Sequence, residues 1–185
     1  MKKNFILDYA HHLLKEYITS SDIVVDATMG NGYDTLYLSS LSKKVYAFDI
    51  QEKAIEETAK KLSENQVNNV ELILDSHENI NHYCKSYKAV IFNLGYLPNS
   101  DKSITTRTES TMSTISSILP KLSIGGFIQI VSYTGHEEGK RESEALHHFL
   151  NHLDTDTYKV IKINLPYQDN HPPHILMVHK VKDES

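Results

Sequence analysis

The sequence contains a single cysteine, Cys84, which excludes an internal disulfide. It also lacks any apolar run near the roughly 20 residues that a membrane-spanning helix needs. The apolar stretch 5–7 stops at Asp8, too early for a signal peptide. Without export signals or disulfides, we expect a cytoplasmic protein that does not contact a membrane.

Positive charge is scarce as well, because 19 lysines and arginines face 24 aspartates and glutamates, for a net charge of −5. Proteins that bind nucleic acid usually present a basic surface, so only a small local basic patch is compatible with this balance. The histidines include adjacent pairs such as His11-His12 and His147-His148. Neighbours on a helix point in different directions, and we predict no metal site.

Apolar residues recur with the periods of alternating strands and helices along all 185 residues. We predict one domain, 1–185, with an N-terminal helix (1–20) packed on a mostly parallel seven-stranded sheet that has helices on both faces. The last two strands have no helix between them and should form an antiparallel hairpin. The predicted strands are 23–27, 44–50, 70–74, 88–92, 127–132, 160–165 and 174–179. The predicted helices are 4–18, 33–41, 52–64, 104–122 and 139–152.

A glycine-rich turn follows the first predicted strand and opens the next helix. Gly30 and Gly32 allow a sharp turn and a close approach by a ligand, and the first amides of a helix can receive a polar group. Polar residues also end four successive strands: Asp26, Asp49, Asp75 and Asn93. Ligands of open α/β sheets bind beyond this carboxyl edge, so we predict a binding site there rather than four helix caps.

The second acid indicates which ligand the site takes. Asp49 lies 17 positions after Gly32, near the roughly 20 expected for a carboxylate that binds ribose hydroxyls. That spacing fits either NAD or S-adenosylmethionine. Thr35 stands where the dinucleotide fingerprint has its third glycine, which argues against NAD. The cationic methionine end of S-adenosylmethionine would suit Asp26 and Asp34, so we predict this cofactor.

Several segments resemble a known family of enzymes. The stretch 26–32, Asp-Ala-Thr-Met-Gly-Asn-Gly, resembles motif I of class I S-adenosylmethionine-dependent methyltransferases. Together with 76–78, 93–98, 130–136 and 170–174, it is similar to a bacterial family formerly labelled rRNA methylases. That family methylates 5-aminomethyl(-2-thio)uridine 34 of tRNA to its methylaminomethyl form. The resemblance implies a Rossmann-like class I methyltransferase fold that ends in the antiparallel hairpin.

The resemblance implies roles for residues of the predicted cofactor site. The glycine loop should hold the methionine end, Asp49 and Gln51 the ribose, and the residues after the third strand the adenine. Whether His77 stacks on the adenine or caps a helix is left open. The predicted cofactor-binding residues are Asp26, Gly30, Asn31, Gly32, Asp34, Thr35, Asp49, Gln51, Asp75, Ser76, His77 and Asn93.

Residues 93–96 resemble the [Asn/Asp]-Pro-Pro-[Tyr/Phe] motif of amino-methyltransferases, without its two prolines. A neutral amine must aim its lone pair at the methyl carbon, and the oxygen of Asn93 can set that direction. Tyr96 would stack on the base or contact the developing cation. Candidate proton acceptors are Tyr133, His136 and the histidines of the loop 166–174. The predicted catalytic residues are therefore Asn93, Tyr96, Tyr133 and His136.

The expected partner is the tRNA anticodon stem-loop, read by base stacking and by cations on phosphates. We expect an enzyme that methylates the aminomethyl group of the wobble uridine. An rRNA or small-amine methyltransferase, and a sensor that binds S-adenosylmethionine without catalysis, are the alternatives. A homodimer stays open. The predicted RNA-contacting residues are Lys102, Arg107, Lys140, Arg141, Tyr167 and His171.

Overall fold

The structure is a computed structural model that describes residues 4–94, 108–135 and 137–183. Its strands are β1 (Ile23–Asp26), β2 (Lys44–Asp49), β3 (Val70–Leu74), β4 (Tyr87–Leu94), β5 (Leu122–Ser132), β6 (Tyr158–Ile163) and β7 (His174–Lys180). Its α-helices are α1 (Phe5–Tyr17), α2 (Tyr33–Leu41), α3 (Glu52–Glu64), α4 (Ile80–Tyr83), α5 (Thr108–Ile118) and α6 (Glu137–Leu150). Short 3-10 helices span His77–Asn79 and Leu119–Lys121.

The seven strands form one sheet in the order β3-β2-β1-β4-β5-β7-β6. The pairs among β1 to β5 are parallel, whereas β7 is antiparallel to both β5 and β6. The predicted fold, including its closing antiparallel hairpin, is therefore confirmed. The chain leaves β1 toward β2 and β3 and later returns to the other side of β1 at β4. This reversal opens a crevice between β1 and β4, where α/β sheets bind ligands.

Apolar side chains fill both faces of the sheet, so the domain has three layers. One face packs Ile80 of α4, Ile115 of α5 and Leu146 of α6 against β1 and β4. The other face packs Leu14 of α1 and Leu38 of α2, with residues of α3, against the central strands. The N-terminal helix, which lies outside the alternating pattern, is thereby part of the core.

The structure places β5 differently from the predicted strand 127–132, because β5 already begins at Leu122. Its pairing with β4 jumps from Tyr87–Leu122 to Ala89–Phe127, so Gly125-Gly126 lies within the strand. A Cβ on Gly126 would stand 2.7 Å from the carbonyl oxygens of Lys88 and Ser123. The glycines therefore permit a bulge in β5 and do not mark where the strand begins.

The long helix predicted over 104–122 is shorter where the structure describes it. Helix α5 spans Thr108–Ile118, and Leu119–Lys121 forms a 3-10 turn. Pro120 has no N–H to donate to the preceding turn, which explains the change at this point. Residues 104–107 of the prediction lie outside the described residues. The predicted helix 139–152 is displaced by two residues to Glu137–Leu150.

The loop between β1 and α2 depends on Gly32, and its replacement tests that dependence. Gly32 has a φ of 72°, and a Cβ there would stand 2.5 Å from Oγ1 of Thr58. We expect Gly32→Ala to lower the free energy of unfolding by roughly 2–4 kcal/mol, through backbone strain and this clash. Urea unfolding measures the effect.

The matched control is Gly135→Ala, because no atom of the residues that the structure describes lies within 4 Å of a Cβ at Gly135. This variant should change the free energy of unfolding by less than about 1 kcal/mol. Equal losses in the two variants would show that the conformation of Gly32 is not what stabilises the loop.

Candidate active site

The four polar residues predicted at the strand ends meet at one edge of the sheet. Asp26 and Asp49 end β1 and β2, Asp75 follows β3, and Asn93 is the penultimate residue of β4. The backbone amide of Asp75 donates to the carbonyl of Asp49 at 3.1 Å. The parallel strands place these residues around the mouth of the crevice, as their positions in the sequence predict.

Asp49 holds the glycine loop against β2. Its Oδ2 accepts a hydrogen bond from the amide of Gly30 at 2.9 Å, and its Oδ1 accepts from the amide of Gln51 at 2.9 Å. Gly30 and Gly32 both have positive φ, 52° and 72°. Each carboxylate oxygen has a second lone pair, so Asp49 still has acceptor capacity for two ribose hydroxyls while it supports the loop.

Asp26 and Thr35 were predicted to contact the cofactor, but both side chains face the protein interior. Asp26 is only 1% exposed, and Thr35 is fully buried. The hydroxyl of Thr35 donates to Oδ2 of Asp26 at 2.6 Å, and the amide of Thr28 donates to Oδ1 at 3.2 Å. Because β1 lies in the centre of the sheet, the end of this strand is covered by other residues. The hydrogen-bonded pair of Asp26 and Thr35 therefore supports the loop from the interior of the protein.

Burial gives Asp26 an unusual acidity. Desolvation, with smaller contributions from the negative charges of Asp34 and Asp49, raises the pKa of Asp26 to about 7, against hydrogen bonds that lower it. Asp26 therefore lies close enough to Asp34 and Asp49 for their negative charges to act on it. A positively charged ligand beside the glycine loop would reduce this repulsion.

Asp34 connects three parts of the chain at the mouth of the site. Its Oδ1 accepts from Nε2 of His11 on α1 at 2.6 Å, and its Oδ2 accepts from Nδ2 of Asn93 at 3.2 Å. The backbone amide of Asn93 donates to the hydroxyl of Thr28 at 2.7 Å. Sequence reasoning missed His11 and Thr28. Their partners lie 23 and 65 positions away, so no local spacing could have indicated them.

Tyr133 follows β5 and is half-buried beside Asn93. Burial and the charge of Asp34 raise the pKa of Tyr133 to about 12, although a hydrogen bond with the Asn93 side chain lowers it. The phenol therefore keeps its proton at neutral pH. The raised pKa favours a hydrogen-bonding role for Tyr133 beside Asn93, and its predicted role as a proton acceptor stays a prediction.

The segment after β3 is organised around Asp75. Its carboxylate accepts hydrogen bonds from the amide of Ser76, from Asn79 and from the hydroxyl of Tyr83, at 2.7 to 2.9 Å. These bonds, the one from Asn79 first, lower the pKa of Asp75. The Ser76 hydroxyl accepts from the amide of Glu78 and so caps the 3-10 helix.

His77 does not cap a helix, so the capping alternative is wrong. Its ring meets Phe92 edge-on at 5.6 Å, and it hydrogen-bonds to the backbone of Ala27. Burial lowers the pKa of His77, so the ring is neutral at pH 7. Its Nε2 is buried and has no hydrogen-bond partner among the residues that the structure describes. Stacking on the adenine stays a prediction.

The remaining site predictions fall on the surface or beyond the described residues. Lys140, Arg141, Tyr167 and His171 are all exposed, and Lys140 forms an ion pair with Glu137 at 2.9 Å. Asn31 and Gln51 are half-buried at the loop and at the start of α3. Their predicted contacts with RNA or cofactor stay predictions. Tyr96, Lys102, Arg107 and His136 lie outside the described residues.

The described part of the chain contains no cluster of three histidine, cysteine, aspartate or glutamate side chains able to hold a metal ion. Within the same ranges, no helix is both long and apolar enough to cross a membrane.

The residues at the crevice fit S-adenosylmethionine in their chemistry. Carboxylates surround the glycine loop, where the ammonium and sulfonium charges are predicted to bind, and Asp49 has lone pairs for two hydroxyls. His77, whose buried Nε2 has no partner among the described residues, follows β3, where the adenine is predicted to bind. A pyrophosphate would instead bring negative charge to Asp26, Asp34 and Asp49, which would raise their electrostatic repulsion.

Fold and site together define the class of the S-adenosylmethionine-dependent methyltransferases. Residues 45–179 match the family described as "Putative rRNA methylase", and the chain belongs to this family. The match begins after the glycine loop, so α1 and the loop lie outside it.

Solved structures of similar chains agree with this membership. A Clostridium thermocellum protein of the same description is 40% identical, with a TM-score of 0.91 over 97% of this chain and 99% of that one. SMU.1697c of Streptococcus mutans, solved in complex with SAH, is 41% identical, with a TM-score of 0.88 over 97% and 99% of the two chains.

A curated relative carries a more specific description. The chloroplastic tRNA (mnm(5)s(2)U34)-methyltransferase of Arabidopsis thaliana is 34% identical over 157 residues. The match covers 77% of this chain and 57% of that protein.

The raised pKa of Asp26 predicts how stability changes with pH. An unfolded chain loses this proton near the ordinary pKa of 3.8, whereas the folded protein keeps it to about 7. The folded state thus binds more protons in this window, so the free energy of unfolding should fall as pH rises from about 4 to about 7. Asp26→Asn should remove roughly 2–4 kcal/mol of that decline. Urea unfolding at several pH values measures it.

Asp75→Asn provides the control, because the pKa of Asp75 is lowered. Its contribution has the opposite sign: it is present above the ordinary pKa and is lost as pH falls through the folded pKa. The decline between about pH 4 and 7 should persist in this variant. A decline of unchanged size in Asp26→Asn would contradict the assignment to Asp26.

Proposed function

We propose that this protein transfers the methyl group of S-adenosylmethionine to the aminomethyl nitrogen of 5-aminomethyl(-2-thio)uridine at position 34 of tRNA. The observation that carries the proposal is the polar cluster of Asp34, Asn93 and Tyr133 at the mouth of the crevice. The similarity to the Arabidopsis tRNA enzyme supports the choice of substrate.

The cluster suits an amine nucleophile. A carboxylate only accepts hydrogen bonds, so Asp34 turns the Nδ2 of Asn93 toward itself and leaves Oδ1 on the opposite side. An amide oxygen has two lone pairs, and at least one remains for an N–H of the substrate even if the Tyr133 hydroxyl uses the other. An N–H held there fixes the direction of the nitrogen lone pair, which orientation-dependent methyl transfer needs.

Bound S-adenosylmethionine supplies an activated methyl group, and the chain supplies orientation. The substrate amine is mostly protonated at neutral pH, so it must lose a proton before it reacts. Tyr133 keeps its own proton up to about pH 12, and the proposed route does not use it as an acceptor. Loss of the proton to water, followed by binding of the neutral amine at Asn93, is sufficient. His136 stays a predicted alternative acceptor.

The proposed RNA surface consists of exposed residues that follow β5 and β6 in the chain. Lys140 and Arg141 lie near the start of α6, the helix that follows Tyr133 in the chain, and Tyr167 is 95% exposed in the loop between β6 and β7. Cations of this kind contact phosphates, and exposed aromatic rings stack on unpaired bases. With a net charge of −5, such a local patch is where an anticodon loop would bind.

The first test is methylation of defined RNA. The protein and S-adenosylmethionine are incubated with tRNA from cells that lack the gene, and nucleosides are analysed by mass. We expect conversion of the aminomethyl nucleoside to its methylaminomethyl form. A parallel incubation with rRNA from the same cells tests the activity named in the family description. Unmodified tRNA beside methylated rRNA would overturn the tRNA assignment.

The second test removes the orienting amide. Asn93→Ala should lower kcat for tRNA methylation by roughly a hundredfold, because the amine is no longer aligned, and should weaken binding of S-adenosylmethionine much less. Asn65→Ala is the matched control: Asn65 lies at the C-terminal end of α3, away from the site, and its side-chain amide donates to the carbonyl of Lys61. Unchanged kcat in Asn93→Ala would remove Asn93 from the mechanism.

A further inference from the structure

His11 lies on α1, outside the stretch that matches the family, yet it reaches the mouth of the active site. Helix α1 is anchored in the core by Ile6, Ala10 and Leu14. From this fixed position, Nε2 of His11 donates to Oδ1 of Asp34 at 2.6 Å. A hydrogen bond this short to a charged acceptor is of the strong kind.

The ring of His11 is held in place by a second residue of the site wall. Tyr37 of α2 stacks on it, with ring centroids 4.2 Å apart and planes at 6°. The hydroxyl of Tyr37 also donates to the backbone carbonyl of His11 at 3.0 Å. The imidazole therefore has a fixed position and a fixed plane relative to α2, the helix that carries Asp34.

Asp34 connects the fixed ring of His11 to Asn93, the residue proposed to orient the substrate amine. One of its oxygens takes the hydrogen bond of His11, and the other takes Nδ2 of Asn93 at 3.2 Å. Without His11, the carboxylate could rotate about its terminal bond, which is a soft torsion. The amide of Asn93 would then lose the partner that determines which way its oxygen points.

We propose that His11 is a positioning residue for methyl transfer, which acts through Asp34 to orient the amide of Asn93 toward the substrate amine. The proposal deepens the proposed function and rests on it. His11 itself touches neither substrate nor reacting atoms in this scheme, so its effect must depend on the presence of Asn93.

Three variants separate the hydrogen bond from the packing of the ring. His11→Phe keeps a ring for Tyr37 but has no donor, whereas His11→Gln keeps an N–H at a similar distance from the backbone. We expect kcat for tRNA methylation to fall roughly tenfold to a hundredfold in the Phe variant and to recover most of that loss in the Gln variant. His12→Phe, at an exposed neighbouring position, should retain full activity.

A double-mutant cycle tests the route of the effect. If His11 acts through Asn93, His11→Phe should change kcat by less than about twofold in a background that already carries Asn93→Ala. A full loss in that background, or a Gln variant no better than the Phe variant, would overturn the proposal. Urea unfolding of each variant distinguishes a folding defect from this effect, and the Gln variant remains informative if the Phe variant is unstable.

A measurement without RNA keeps the proposal separate from the proposed function. The side-chain NH₂ signals of Asn93 are identified in the NMR spectrum by their loss in Asn93→Ala. They should shift in His11→Phe and keep their positions in His12→Phe. If the signals shift but the enzyme leaves tRNA unmethylated, the role of His11 is retained and the tRNA assignment is rejected. Unshifted signals would reject the role of His11.

Discussion

The hydrogen bonds between the glycine loop and two carboxylates are the constraint on which the rest of the site depends. The loop uses left-handed backbone at Gly30 and Gly32, and a loop with unpaired amides is costly to bury. Asp49, on the neighbouring strand, accepts a hydrogen bond from the amide of Gly30. Asp26 accepts one from the amide of Thr28, on the interior side of the loop. The order β2-β1-β4 thus forms the site as well as the sheet, because each strand adjoining β1 supplies a partner for the loop.

Several acidic side chains at one edge of the sheet are electrostatically unfavourable, and the fold compensates differently for each of them. Asp26 is buried and responds with a raised pKa. Asp49 is bonded to two amides, and Asp34 is paired with His11. The buried acid is therefore the one whose charge is weakened, whereas the two acids nearer the mouth have hydrogen-bond partners. A cofactor with two positive groups would be attracted to such a surface, whereas a dinucleotide with a charged pyrophosphate would be repelled.

Periodicity predicted the sheet, its closing hairpin and the four polar strand ends, because these features follow from local alternation and from the geometry of parallel strands. It failed at β5, where Leu122 and Ile124 precede a glycine pair that permits a bulge. It also could not identify His11, since α1 is a regular amphipathic helix whose polar face gives no sign of its partner 23 positions away. The raised pKa of Tyr133 depends on burial, which the sequence does not express.

The protonated state of Tyr133 bears on where the chemistry comes from. A phenol that keeps its proton does not activate an amine, but it can hydrogen-bond to the amide that aligns one. Asp34, Asn93 and Tyr133 then form a set whose members orient one another and take no net proton during the reaction. A site of this kind favours a nucleophile that is reactive once neutral, such as a primary amine, over an amide or a base carbon that needs a strong base. This geometry is therefore compatible with the amine of the proposed substrate.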